Sequence, residues 1–336
     1  MSDQIQTRPP RTADAPAISA LVAAATSGWL GFPETTAETI ADSWRSPGLD
    51  VGNDAIVAVR GGEEVVGYAF LQPRGRAAAT FWFDLWTRPG PGERAAAGAL
   101  LSGLQGRFRA LARGAPLGAT VSLRARVSDG QAAVCEALEQ DGFAVVRRAL
   151  QMVADLELPY PAPAWPEGIR VRTFTPSDAR AVHSLTMDAL GETWGFTSEP
   201  FETWVAETEA GNLDASLWWM VEAHGELVAE ALFRPDELDP ELVWLKVMAV
   251  RRGWRGRWLV ATLFFHAVNE LKERGFRRAG AGMDAENASG VPRLAERAGF
   301  QLAQTFLIYE RRLRGPRPIR RLLRRARRIV VSGAGR

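Results

Sequence analysis

The sequence predicts a mixed α/β protein made of two tandem copies of one unit. Three observations carry that expectation: short features recur in order at a nearly constant displacement, helical and strand patterns interleave in each copy, and a proline-rich break separates the copies. Ile5-Gln-Thr-Arg8, leading to Asp14, is echoed by Ile169-Arg-Val-Arg172, leading to Asp178. Trp29-Leu-Gly-Phe32 with Trp44 is echoed by Trp194-Gly-Phe196 with Trp204. Glu64-Val-Val-Gly-Tyr-Ala69 matches Glu226-Leu-Val-Ala-Glu-Ala231, and Gly142-Phe143 matches Gly299-Phe300. Pro159-Tyr-Pro-Ala-Pro-Ala-Trp-Pro166 suits neither a helix nor a central strand. The expected organisation is a first domain over residues 1–158, a linker over 159–165, a second domain over 166–313 and a tail over 314–336.

Each copy opens with a short strand (near Gln6–Arg8; Ile169–Thr173) and a helix (Ala15–Ala25; Asp178–Leu190) whose aspartate stands where an N-cap belongs. A hairpin follows, with Ala55–Val59 and Val65–Leu71 around Gly61-Gly62, and Trp218–Ala223 and Leu227–Phe233 around His224-Gly225. Next come a fourth strand (Thr80–Trp86; Leu242–Val250) and a long helix (Arg94–Arg113; Trp258–Arg274). A fifth strand (Thr120–Val127; Arg278–Met283), a helix (Gly130–Gln140; Ser289–Ala298) and closing strands (Ala144–Leu156; Gln301–Arg311) complete each copy. An antiparallel start with a later βαβ crossover makes the sheet mixed.

Composition bounds the function classes. Hydrophobic residues make up 46% and charged residues 24%, enough for a real core. No stretch reaches the roughly 18 apolar residues of a membrane span, and the N-terminus has no secretory pattern. Cys135 is the only cysteine, so an intrachain disulfide is excluded and the expected compartment is the cytoplasm. His183, His224 and His266 are isolated, which argues against a zinc site. The net charge of +2 hides an uneven distribution, because eleven arginines and no acid lie from Arg311 onward. Ile319, Leu322, Leu323, Ala326 and Val330 recur there at helical spacing. Three readings of this tail stay open: a solvated tail, a contact with an anionic membrane surface, or a contact with an acidic partner such as an acyl-carrier protein. Nucleic acid fits least, since residues 1–310 are net acidic.

The most specific motif is Val250-Arg-Arg-Gly-Trp-Arg255-Gly256-Arg257-Trp258-Leu259-Val260, at a strand-to-helix junction. Such a turn offers free N–H groups and the positive end of a helix to a phosphate. Downstream stand Glu273-Arg-Gly-Phe276, Asn287 and Leu294-Ala-Glu-Arg-Ala-Gly-Phe300. These segments resemble the GNAT acyltransferase superfamily, whose pattern runs V-x-P-x-x-R-G-x-G-x-G/A, then R-G-F/Y, N-x-x-A and L-Y-E-x-x-G-F. The two-copy layout is similar to mycothiol synthase and related actinobacterial tandem GNAT proteins. The resemblance implies two tandem GNAT-fold domains, each with a sheet splayed between its fourth and fifth strands. It further implies an acyl-CoA or carrier-protein donor whose pantetheine arm lies in the splay, with its pyrophosphate on the turn. The implied donor-binding residues are Met248, Ala249, Val250, Arg255, Gly256, Arg257, Trp258, Leu259, Val260 and Asn287.

Trp258 and Val260 replace two turn glycines, and Ala295 replaces a tyrosine that often protonates the leaving thiolate. An indole at 258 would obstruct a pyrophosphate or stack on the donor. The first copy departs further: Glu93 stands where a phosphate would lie, and Leu138 replaces the tyrosine. That copy is not expected to hold CoA in the usual way. Acyl transfer to a primary amine also needs a base, and the candidates are Glu230, Glu241, Asp284 and Glu286. Glu230 interrupts an apolar strand, where it either faces solvent or lines a cleft. Trp29, Trp194 and Trp204 are candidates for walls of an acceptor cleft or for core. The function expected is an N-acyltransferase acting on an amine-bearing small molecule or peptide. The rival is a non-catalytic binding or regulatory protein on the same fold.

Overall fold

A computed structural model describes residues 4–30, 35–46, 49–72, 79–196, 198–210, 214–255, 258–287 and 291–315. The arginine-rich helical pattern beyond residue 315, Gly256, Arg257, the expected helix start at Ser289 and the side chain of Trp29 lie outside the described residues.

The first half begins with β1 (Ile5–Arg8), α1 (Ala15–Leu30), α2 (Ala37–Ser43) and α3 (Val51–Asp54). It continues through β2 (Ala55–Arg60), β3 (Glu64–Leu71), β4 (Thr80–Thr87), α4 (Glu93–Gly114), β5 (Val121–Ser128), α5 (Ala132–Gln140) and β6 (Ala144–Asp155). The second half runs β7 (Ile169–Thr173), α6 (Ala179–Leu190), α7 (Phe201–Ala210), β8 (Trp218–Ala223), β9 (Glu226–Pro235) and β10 (Leu242–Val250). It ends with α8 (Leu259–Glu273), β11 (Arg278–Asp284), α9 (Val291–Arg297) and β12 (Phe300–Arg314).

Local chemistry accounts for the shared frame. Both hairpins turn on two consecutive residues with positive φ, Gly61 and Gly62 at 59° and 90°, His224 and Gly225 at 54° and 80°. That geometry matches the twist of the flanking strands. The aspartates at the first helix of each copy act differently from expectation, since neither caps the helix that follows. Asp14 accepts both guanidinium nitrogens of Arg8, at 2.6 and 2.9 Å, together with the Arg11 amide. Asp178 does the same with Arg172, at 2.6 and 2.7 Å, and with the Thr175 amide. Each pair ties the opening strand to its helix. The hydrogen bonds from Arg172 pull the Asp178 carboxyl down to about 2, against the opposing effect of burial.

The sheet holds a further feature. Twelve strands run in the order β1-β2-β3-β4-β5-β12-β6-β11-β10-β9-β8-β7. The two closing strands have therefore changed places. The last strand of the chain, β12, pairs with β5, while β6 pairs with β11, and β6 and β12 pair with each other. The cores follow the exchange. Tyr309 of β12 is 1% exposed in the core under α4, and Met152, Ala154 and Leu156, at the end of the first copy, are buried with α8. Each half is completed by a strand from the other.

Helices cover the two faces unequally. α1 packs on β3 and β4, and α6 on β9 and β10, on one face, while α4 and α8 pack on the opposite face. Between α1 and α6, the first face of the sheet passes across β5, β12, β6 and β11.

Candidate active site

The central feature is a parting of strands. β10 and β11 are parallel, and their pairs run from Leu242 with Arg278 to Leu245 with Ala281, then stop. β10 continues to Val250 paired only with β9, through a bulge between Leu245 and Val247 that places Lys246 outside the register. The backbone from Val247 to Val250 thus turns one edge to a wedge with no strand opposite. Such an edge needs a hydrogen-bonding occupant, and an extended ligand with amide groups supplies one. Met248, Ala249 and Val250 all lie along it.

At the mouth of the wedge, Arg252–Trp254 form a short 3-10 turn leading to Arg255. The Arg255 side chain is already engaged. It donates to the Ala189 carbonyl at 3.2 Å and to Glu192 at 3.2 Å, and its Nε bonds the Val250 carbonyl. Arg252 also pairs with Glu192. Asn287 belongs to the turn after β11, where its amide donates to the Asp284 carbonyl at 3.1 Å.

Trp258 opens α8 at 39% exposure. Its ring meets Trp165 of the proline-rich segment edge-on, with centroids 6.1 Å apart, and Trp165 next meets His266 at 5.9 Å. Positions 258, 262 and 266 form one stripe of the helix. That stripe faces β8, since His266 also contacts Trp219. The indole therefore leans toward the β8 side, two strands from β10 and away from the wedge. Leu259 is buried in the core, and Val260 packs against it.

Of the four acids, the structure singles out Glu230. It is fully buried on β9, directly across from Ala249 of β10. One carboxylate oxygen accepts the Thr186 hydroxyl of α6 at 2.5 Å, and the other has no hydrogen-bond partner among the described residues. Burial pushes this carboxyl up to about 8, against the opposing influence of Thr186 and Arg251. A buried acid with an unsatisfied oxygen is costly, and such groups concentrate at functional sites. Asp284 ends β11 and caps its own turn, accepting the Glu286 amide at 2.9 Å. Glu286 is exposed and pairs with Arg147 at 2.7 Å. Glu241 is at the closed end of β10, where it pairs with Arg277, so the structure separates it from the wedge. Among the described residues, no group of three or more His, Cys, Asp or Glu is arranged to hold a metal. Trp204 is core, packed on Trp218 and His183. Trp194 is not core and lies against Arg124 and Arg147.

The first half has the same parting without the same contents. β4 and β5 pair from Thr80 with Ser122 to Phe83 with Ala125 and then diverge. Tyr68 occupies the position of Glu230, also buried, and accepts the Trp44 indole N–H at 2.8 Å. Its ring stacks on Phe70 and Trp86 at 5.8 and 6.0 Å. Glu93, in the first turn of α4, accepts the Thr87 hydroxyl at 3.1 Å. An aromatic stack fills one side of the parting, and an acid fills the turn.

Thr186, Glu192 and the exchange of strands are not visible in the sequence. Thr186 lacks any local signal, because only the packing of α6 brings it to β9.

Comparison with known proteins agrees with this geometry. The Acetyltransferase (GNAT) family profile matches residues 180–300. A mycothiol acetyltransferase of Thermobispora bispora is 28% identical over 257 residues, 74% of this chain and 81% of that protein. The crystal structure of a GCN5-related N-acetyltransferase from Sphaerobacter thermophilus superposes with a TM-score of 0.77 at 28% identity, covering 95% of this chain and 99% of that one. A tandem GNAT protein from the clavulanic acid biosynthesis pathway, solved without AcCoA, shares the fold at 18% identity, with a TM-score of 0.67 over 94% of this chain and all of that one. The family match thus falls in the second half, and the whole chain has the tandem GNAT fold.

Proposed function

We propose that this protein is an N-acyltransferase that moves an acetyl group from acetyl-CoA to a primary amine, with the donor in the β10–β11 wedge and Glu230 as the proton acceptor. The observation that carries this reading is Glu230 itself, buried beside the wedge with one oxygen held by Thr186 and the other unpaired. An amine must lose a proton to attack a thioester, and a carboxylate near 8 is matched to an ammonium at neutral pH. The splayed backbone of Val247–Val250 suits the two amides of a pantetheine arm. Arg252 and Arg255 suit its pyrophosphate once they part from Glu192. The acetyltransferase activity of the similar proteins favours acetyl-CoA as the donor.

A non-catalytic reading has one specific observation in its favour, the engagement of Arg255 by Glu192 and the Ala189 carbonyl. Titration of acetyl-CoA followed by thiol release with an amine panel separates the two. The expected outcome is one donor bound per chain and measurable transfer. Glu230→Gln is expected to lower kcat by about a hundredfold or more, with donor affinity kept. Wild-type protein that neither binds acetyl-CoA nor releases thiol would leave the non-catalytic reading standing.

A further inference from the structure

The first half contributes something more than support. Strand registers place a group of its arginines on the same sheet face as Glu230. Arg124 and Arg126 alternate along β5 and pair with Glu310 and Ile308 of β12, and Ile308 pairs in turn with Arg147 of β6. Two residues along β6, Ala149 pairs with Asp284. From Asp284 the same face continues through Gly282 and Gly280 to Trp244, then to Arg234 and Glu230. Directly paired residues share a face, and so do alternate residues of a strand.

The repeat sharpens this placement. Trp82 pairs with Arg124 in the first half, and Trp244 pairs with Gly280 in the second. Arg124 and Arg126 therefore occupy the positions of Gly280 and Gly282. A Cβ at Gly282 would meet nothing within 4 Å. One half presents guanidinium groups where the other presents glycines, Gly280 lying under the Trp244 ring and Gly282 bare beside the wedge.

The guanidinium groups are also held in place. Trp194, on the loop after α6, lies with its ring 4.3 Å from the Arg124 guanidinium carbon and 5.3 Å from that of Arg147. Arg126 sits 3.8 Å over the Phe306 ring. A guanidinium stacked on a ring keeps its N–H edge directed outward, the geometry that grips an anion in a fork. Arg124 donates to Glu310 at 2.8 Å, Arg147 to Glu286 at 2.7 Å and Arg126 to the Gln151 side-chain carbonyl at 2.8 Å. Asp84 also faces Arg126, and burial raises its carboxyl, which weakens it as a counter-charge.

We propose that Arg124, Arg126 and Arg147, with Trp194, form the anion-recognition end of the acceptor site, so that the acceptor is an amine carrying a carboxylate or phosphate. This proposal rests on the acyltransferase reading. Arg147 on β6 is one strand spacing from β11, about 5 Å, whereas Arg124 and Arg126 on β5 are three spacings away, about 14 Å. An anion held between them is then on the order of 10 Å from an amine at the wedge. Short amino acids do not span the site, and extended ones do. The degenerate half serves as the specificity element, and the intact half carries the chemistry.

The test uses ω-amino acids of increasing length, from glycine to 8-aminooctanoate, each beside its primary amide and its aminoalkyl phosphonate. Acetyl transfer from acetyl-CoA is measured with the full chain. Binding of the N-acetylated 8-carbon acid and of its amide to the CoA-loaded protein is measured separately by calorimetry. The expected result is at least a tenfold higher kcat/KM for long acids than for their amides, and binding of the acetylated acid alone. The ratio of carboxylate to phosphonate identifies the preferred anion. In Arg126→Gln and Arg147→Gln the KM for acids should rise about tenfold, with the KM for amides and the donor affinity unchanged. Arg88→Gln, a surface charge control, should match wild type, and thermal melts exclude misfolding. Equal use of acids and amides, without binding of the acetylated acid, would overturn the anion site while leaving the transferase intact. Binding of the acetylated acid without any transfer would keep the anion site and remove the transferase.

Discussion

The two halves share a backbone plan and differ in what fills it. Both tie an opening strand to its helix through an Arg–Asp pair, turn their hairpins on two left-handed residues, and let the fourth and fifth strands part after four residue pairs. In the first half, Tyr68, Phe70 and Trp86 stack beside the parting and Glu93 closes the turn. In the second, Glu230 is buried beneath Thr186, and β10 carries a bulge at Lys246 that β4 lacks. The splay thus belongs to the fold, and the halves differ in the few side chains placed on it. A duplicated unit can keep its architecture while the side chains at its parting change, because the residues that form strands and hairpins are largely other ones.

The exchange of β6 and β12 makes the halves interdependent, and the largest expected effect follows from it. The chain cut between residues 158 and 166 and produced as separate fragments should give no cooperative melt from either piece, whereas co-produced fragments should reassemble. A first-half fragment with a sharp, native-like melt would show that β12 is dispensable to it.

The contrast between Glu230 and Tyr68 gives the next effect. Thr186→Val removes the hydroxyl that draws the Glu230 carboxyl downward. The alkaline-rising limb of kcat/KM, expected near pH 8 in wild type, should move upward, with about tenfold less activity at pH 7 for each unit moved. The sign for stability is opposite to that of a salt-bridged acid. The folded carboxyl sits near 8 and the unfolded one near its ordinary value of about 4.3, so the native state holds the extra proton between them. Stability should fall as pH rises through that window, and thermal melts of Glu230→Gln should lack the slope. A flat wild-type profile would mean that Glu230 is ionised in the folded protein.

A smaller effect probes what the halves have in common. Asp14→Asn and Asp178→Asn should each cost about 1.5–3 kcal/mol in denaturant unfolding, because each weakens charge-assisted bonds to a single arginine. The contribution of each pair is present above the ordinary aspartate range. For Asp178 it is lost as pH falls toward about 2. Unequal costs would show that the repeated pair has diverged in function.

The smallest effect concerns Trp258. Because its indole rests on Trp165, Trp258→Gly should change acetyl-CoA affinity by less than about threefold, roughly 0.6 kcal/mol. A large gain measured by titration would show that the indole does obstruct the donor.

Much of this was legible in the residues. The hairpins, the long helices and the strand-to-helix turn each rest on a local signal, such as Gly61-Gly62 or the run from Val250 to Val260. Glu230 was legible only as an anomaly, an acid within Leu227–Phe233, with two opposite explanations. The arginine site was not legible, because Arg124, Arg126 and Arg147 read as ordinary charges on alternating strands. The aspartates misled for a related reason. A residue before a helix serves as a cap or as an ion-pair partner, and the choice depended on Arg8 and Arg172 lying within reach.

By itself, the sequence determined the duplication and the class of fold, since both depend on periodicity and spacing along the chain, and its resemblance to a known family marked the half that matches that family's profile. Tertiary structure decided which closing strand joins which half, because β6 and β12 are both long strands and pairing is selected by the sheet around them. It also decided the protonation of Glu230, the direction of Trp258 and the gathering of arginines around Trp194. Those properties depend on burial and on neighbours distant in the chain, and local pattern carries no record of either.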